Sequence, residues 1–211
     1  MRRLPVYFLL DTSGSMNGEP IQALNNALTG MINTLRSDAQ ALDSLWLSII
    51  TFDREVKEIV PLTELVSFQL PEITCPQSGP TNMGAALEML NRKIPVEVKK
   101  GNENQKGDWK PLLFLMTDGT PSDIALYREM VPKTKNLNFG VIVACAAGPK
   151  AKSDFLKELT DTVVYLDTAD SSTLKSFFKW VSDTIEKGNK SMGTNDPVPL
   201  PPPPSEVNIV I

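Results

Sequence analysis

Val6-Tyr7-Phe8-Leu9-Leu10-Asp11-Thr12-Ser13-Gly14-Ser15 carries an apolar run straight into one carboxylate and two serine hydroxyls. Five consecutive apolar residues suit a strand covered on both faces, as in a parallel sheet. The chain then turns through Gly14 and Gly18 into a helical pattern from Pro20. This delivers Asp11, Ser13 and Ser15 to the carboxyl end of a strand, the side of an open parallel sheet where ligands bind. Hard oxygen donors with no nitrogen or sulfur nearby suit Mg²⁺, Mn²⁺ or Ca²⁺ rather than zinc.

Outward from this stretch, strands and helices alternate. Ile21, Leu24, Leu28, Met31, Ile32 and Leu35 repeat at three-and-four spacing and form one helical face. Pro20 suits the first helical position and Glu19 the positive helix start. Leu45 to Phe52 is a second β-rich run, and Glu55 to Pro61 reads as a short edge strand after a tight reversal. Met83, Leu87, Leu90 and Ile94 give a further stripe, ended or kinked at Pro95. Leu112 to Met116 is another buried strand, closed by Thr117-Asp118-Gly119, with a helix from about Ser122. Phe139–Ala144, Ala151–Leu159, Val163–Leu166 and the stripe Leu174, Phe177, Phe178, Val181 and Ile185 continue the alternation. The pattern predicts an α/β fold: a doubly wound, mostly parallel sheet flanked by helices on both faces, with one antiparallel edge strand.

Residues 1–188 form the predicted domain, and 189–211 a tail. The tail is polar, then proline-rich through Pro201–Pro204, and ends in the β-prone peptide 206–211. Four consecutive prolines read as polyproline II. The terminal peptide is expected to add as a strand to a sheet edge or to lie in a groove, on this chain, a neighbouring copy or a second protein.

Composition narrows the function. A formal charge of −4 and a pI near 5.0 argue against a general nucleic-acid binder. No apolar stretch is long enough to span a membrane, and the N-terminus does not read as a signal peptide, so a cytoplasmic location is expected. Cys75 and Cys145 read as two reduced thiols. The chain has no histidine, which excludes a Ser-His-Asp or Cys-His mechanism within it.

Asp11, Ser13 and Ser15, then Asp118 after the strand Leu112–Met116, then Thr81 just before a helix, sit in loops that open on one edge of a doubly wound sheet. Two carboxylates and three hydroxyls can surround one hard cation there, with a sixth position left for water or an incoming carboxylate.

Asp11-x-Ser13-x-Ser15, then Thr81, then Thr117-Asp118-Gly119 resembles the metal-ion-dependent adhesion site of von Willebrand factor A domains, over roughly residues 4–187. The resemblance implies a Rossmann-like fold and carries the family's metal residues onto Asp11, Ser13, Ser15, Thr81 and Asp118. In the family the serines and threonine usually touch the metal, and the aspartates often act through water. Gly79-Pro80-Thr81-Asn82-Met83-Gly84-Ala85-Ala86-Leu87 is similar to the family's Gly-Gly-Thr…Ala-Leu segment, with Pro80 in place of the second glycine. The chain looks most like the compact bacterial proteins of tellurium-resistance clusters, the TerY type. That implies a cytosolic, non-enzymatic module that binds a protein partner's Asp or Glu through Mg²⁺ in a stress-resistance system.

The rival reading is a metal-dependent phosphotransferase or phosphatase with Asp11 as nucleophile. The second acidic position of its Asp-x-Asp pattern is Ser13 here, and no suitably placed lysine is identifiable. A third reading is a scaffold whose metal only stabilises the fold. Ser122 or Asp123 reads as a cap of the following helix, with a supporting position around the metal residues as the alternative for Asp123. Asp53 and Asp108 read as solvated loop residues, and the Lys and Glu residues of 97–110 as a solvated face. Met16 and Met83 either form an apolar collar around the metal loops or pack ordinarily. Trp109 is either an exposed contact anchor or a cover for the sheet edge.

Overall fold

The alternation folds, in a computed structural model describing residues 2–104, 106–149, 151–190 and 198–210, into one seven-stranded sheet between two helical layers. The strands are β1 (Leu4–Asp11), β2 (Leu45–Phe52), β3 (Val56–Glu64), β4 (Leu112–Thr117), β5 (Val141–Ala147), β6 (Val163–Leu166) and β7 (Asn208–Val210). Their spatial order is β3-β2-β1-β4-β5-β6-β7. The strands β2, β1, β4, β5 and β6 run parallel, while β3 joins β2 antiparallel and β7 joins β6 antiparallel. The expected antiparallel edge is β3, and the tail supplies a second at the opposite margin. The chain order reverses between β1 and β4, so the topological switch point lies beside Asp11.

The helices are α1 (Glu19–Arg36), α2 (Ala39–Ser44), α3 (Met83–Glu97), α4 (Ile124–Lys135), α5 (Asp154–Leu159) and α6 (Ser171–Lys190). The pleat of β1 divides its side chains between the layers. Val6, Phe8 and Leu10 pack under α1, α2 and α6, and Tyr7 and Leu9 under α3, α4 and α5. Phe8 stacks on Phe114 of β4 with ring centroids 5.4 Å apart, and Phe178 of α6 leans on the same ring. α3 continues to Glu97, two residues past Pro95. α2 is absent from the sequence reading. It is six residues long, and Asp38 starts it by accepting from the amides of Gln40 at 2.8 Å and Ala41 at 3.2 Å.

Of the tail, residues 191–197 and Ile211 lie outside the described residues. Val198 packs beside Gly188 of α6, close to Leu112 of β4, and the chain then runs to the β6 margin of the sheet. Trp180 of α6 is buried, and its indole N–H donates to the Pro201 carbonyl at 2.9 Å. Val207 is 2% exposed, and Leu200 and Ile209 pack against the same core. The backbone of β7 pairs Val164 with Ile209 and Tyr165 with Asn208. The terminal peptide thus adds as a strand to its own sheet, covering an edge that would otherwise present unpaired amides.

Removing residues 198–211 deletes the Pro201 acceptor, the Val207 side chain and the β7 ladder. Burial of one such side chain contributes about 1.5–3 kcal/mol. A truncated chain is expected to lose at least about 2 kcal/mol in urea denaturation. In a Trp46→Phe, Trp109→Phe background its Trp180 emission should shift to the red. An unchanged midpoint and emission would show that the tail does not stabilise the fold.

Candidate metal centre

β1 and β4 are neighbours in register, Leu10 opposite Met116, so Asp11 stands opposite Thr117 at their carboxyl ends. The next residues of each strand therefore enter the same space. After Asp11 the backbone makes a single 3-10 turn over Gly14–Met16, which raises Ser13 and Ser15 over the strand end. Gly14 permits this turn because a side chain there would strike the backbone of Ser78, whose Cα lies 2.5 Å from an ideal Cβ position. The Thr81 loop is thereby packed directly onto the Ser13–Ser15 loop.

The two oxygens of Asp11 are held separately. Oδ1 accepts from the Ser13 amide at 2.7 Å, and Oδ2 accepts from the Thr117 hydroxyl at 2.5 Å. Ser13 Oγ lies 3.2 Å from Ser15 Oγ, and Ser15 Oγ donates to Asp118 Oδ1 at 2.7 Å. The Thr81 hydroxyl stands beside Gly119, 3.3 Å from where a Cβ would project. The structure therefore brings Asp11, Ser13, Ser15, Thr81 and Asp118 to one end of the sheet. Asp11, Ser13 and Thr81 are buried at 0%, 2% and 7% exposure, whereas Ser15 is exposed and Asp118 half-buried.

Four residues outside the five metal candidates position these loops. Thr117 fixes Asp11. Asp53 accepts from the Thr12 hydroxyl at 2.9 Å, and its carbonyl accepts from the Asn82 amide at 3.0 Å. It is thus a brace between two site loops, not a solvated residue. Ser122 Oγ accepts from the Thr81 amide at 2.9 Å. Asp123 makes no side-chain cap on its own helix α4; it accepts instead from the amides of Gly84 at 3.0 Å and Ala85 at 2.8 Å at the start of α3. The cap reading of Ser122 and Asp123 is thereby corrected, and for Asp123 the alternative of a supporting position is the one observed: both side chains tie the Asp118 loop to the Thr81 loop. A Cβ on Gly84 would strike the Tyr127 amide and lie 2.9 Å from Asp123 Oδ2, so only glycine lets α3 and α4 approach this closely. Met16 and Met83 are both fully buried and form no collar.

Burial pushes the Asp11 carboxyl up to about 6, against the opposing hydrogen bonds from Thr117 and Ser13, and the nearby Asp118 raises it further. No cationic side chain among the described residues balances it. A buried carboxylate, a second carboxylate and three hydroxyls at one strand end fit a hard divalent cation, which would supply the missing positive charge. Cys75 stands close enough to feel Asp11, Asp53 and Asp118. Burial first, and those carboxylates second, push its thiol up to about 12, so it stays protonated and inert.

Comparison with known proteins places this arrangement. The chain belongs to the von Willebrand factor type A domain family, whose model matches residues 6–180. It is 29% identical over 127 residues to the uncharacterized protein sll0103 of Synechocystis sp., matching 56% of this chain and 26% of that protein. The chain thus spans about a quarter of that relative's length. Among solved structures, it is similar to a von Willebrand factor type A protein from Catenulispora acidiphila, with TM-score 0.65 at 18% identity over 88% of this chain and 43% of that one. It is also similar to proximal thread matrix protein 1 from the mussel byssus with a zinc-occupied metal-ion-dependent adhesion site, with TM-score 0.63 at 19% identity over 86% of this chain and 48% of that one. Among the described residues no helix is long and apolar enough to cross a membrane.

Because its pKa is raised above the unfolded value, Asp11 favours the folded state only while protonated. Its contribution is complete below about pH 4 and lost as pH rises through about 6, a change on the order of 2–3 kcal/mol. In chelator, wild type minus Asp11→Asn stability should therefore fall between pH 4 and 7 in urea titrations. Saturating divalent metal should cancel that fall. A difference independent of pH would contradict the uncompensated burial of this carboxylate.

Proposed function

We propose that this von Willebrand factor type A chain is a metal-dependent protein-binding module. In this reading Asp11, Ser13, Ser15, Thr81 and Asp118 hold one divalent cation, and an Asp or Glu of a protein partner completes the shell. The observation that carries it is the gradient within the site. Asp11 is buried as a fixed base, while Ser15 and Asp118 open onto a cleft of about 430 Å³ between α1 and the loops after β5 and β6. Glu19, Asp118 and Asp170 all line that cleft. Its own charge repels a carboxylate, so an acidic partner is attracted only when bound metal supplies positive charge. The acidic wall thus makes recognition conditional on the metal.

The oxygen-only donor set favours Mg²⁺, then Mn²⁺ or Ca²⁺. The zinc-occupied site of the byssus protein makes zinc a necessary arm of any test. Placement in a bacterial tellurium or stress-resistance system, in the cytoplasm, rests on the sequence resemblance. Against Asp11 as a phosphotransferase nucleophile stands its lack of exposed surface, with both oxygens already accepting hydrogen bonds. A nucleophile must reach its substrate.

Calorimetric titration with Mg²⁺, Mn²⁺ and Zn²⁺ tests the site. Asp11→Asn and Ser15→Ala are each expected to weaken binding at least about tenfold while far-UV circular dichroism is unchanged. Wild-type affinity in Asp11→Asn would refute the assignment. A captured partner should be released by chelator, and by changing one of its carboxylates to an amide. With Mg²⁺ the purified chain should not turn over phosphomonoesters. Turnover abolished by Asp11→Asn would favour the enzymatic reading.

A further inference from the structure

The amino ends of the parallel strands form the opposite pole of the molecule, and they carry a second surface. Arg2 and Arg3 enter β1 there, Asp108 to Pro111 enter β4, and the chain leaves α3 through Val98 to Lys100. Between them lies a cleft of about 730 Å³. Its floor is apolar, built from Pro95, Val98, Trp109, Pro111 and Leu137, and Val96 beside it is 83% exposed. Its rim carries Lys99, Lys100, Lys106 and Lys110, all exposed, and none of them forms an ion pair with another described residue.

The rim is held in shape. Asp108, expected from sequence to be solvated, is the keystone. It accepts from Arg3 Nη2 at 2.5 Å and Nε at 3.0 Å, and from the Lys99 amide at 2.7 Å. The Asp108 amide in turn donates to the Lys99 carbonyl at 2.8 Å. Gly107 packs against the Lys99 carbonyl, 2.6 Å from an ideal Cβ, so only glycine closes the loop here. Arg2 lies 3.5 Å over the Trp109 ring and donates to the carbonyls of Gly107 and Asp108. The nearby Glu97 is already engaged by Lys93 at 2.5 Å and by the Tyr7 hydroxyl at 2.9 Å. Four ammonium groups with no ion pair among the described residues therefore gather at one pole of a chain whose net charge is −4, with Asp43 and Glu64 the carboxylates of the adjoining groove.

We propose that this cleft docks an extended acidic protein segment with apolar side chains between its carboxylates. Carboxylates meet the lysine rim, and the interposed apolar groups meet the floor. The guanidinium forks that would read phosphates bidentately are committed internally, which leaves only point charges on long stems. The floor seats aliphatic side chains, and Arg2 already lies over the Trp109 ring, the floor's one aromatic surface on which a nucleobase would stack. This surface is independent of the metal reading, since it lies at the other end of every strand.

The test uses the full chain in chelator and a fluorescein-labelled peptide, Asp-Glu-Leu-Asp-Glu-Phe-Asp-Glu, read by anisotropy. Dissociation constants in the range of about 10–500 μM are expected at low salt, weakening several-fold at about 0.2 M salt. Lys99→Glu/Lys106→Glu should bind at least about tenfold more weakly, and Lys100→Gln/Lys110→Gln at least about threefold, with Mg²⁺ calorimetry unchanged in both. No binding up to about 1 mM peptide, or equal binding by the charge-reversed variant, would overturn the proposal. Tighter binding of an oligothymidylate or of phosphatidylserine vesicles than of the peptide would overturn the choice of a protein segment.

Discussion

A carboxylate without exposed surface, at the end of the central strand and with no cationic side chain beside it among the described residues, is the constraint around which the upper pole is arranged. Asp11 is buried because β1 lies between β2 and β4 and is covered on both faces. Its oxygens are not left bare, since the Ser13 amide and the Thr117 hydroxyl each take one. Yet neutral donors offset only part of what burial costs, which is why its pKa stays raised. The loops that converge there are the ones able to bring further oxygens. The braces through Asp53, Ser122 and Asp123 tie these loops to one another.

What could be read from the chain alone was what depends on neighbours in sequence. Val6 to Asp11 announces a buried strand because its apolar run is continuous, and the stripes of α1 and α3 follow from their spacing. The Asp11, Ser13, Ser15 cluster is local, and the loops holding Thr81 and Asp118 join it once the alternation implies a parallel sheet. Long-range partnerships were not legible. Asp108 looks like any loop aspartate until Arg3, 105 positions away, is found bonded to it. Asp123 has the form of a cap for the helix it begins, but the nearer orphan amides belong to α3. Met16 and Met83 flank the site in sequence while their side chains point into the two cores. α2 escaped because six residues carry too little periodicity.

The two poles differ in kind. The pole that carries Asp11 is acidic, with Glu19, Asp118 and Asp170 along its cleft, and in the proposed reading it attracts a carboxylate only through a bound cation. The opposite pole carries Lys99, Lys100, Lys106 and Lys110, and in the proposed reading it attracts one directly. Sheet geometry separates them by the full length of the strands, so two acidic partners, or two segments of one, need not compete. The end of the tail binds the third margin, pairing β7 with β6, and its Pro201 carbonyl accepts from Trp180.

The central claim is that the oxygens assembled around Asp11 hold a divalent ion. Anomalous diffraction from crystals grown with Mn²⁺ tests it most directly. The account predicts one anomalous peak among Ser13 Oγ, Ser15 Oγ and Thr81 Oγ1, with Asp11 and Asp118 bonded directly or through water, and no peak in Asp11→Asn crystals. A Mn²⁺-saturated crystal with no density at that position, or with the ion held by other residues, would contradict it.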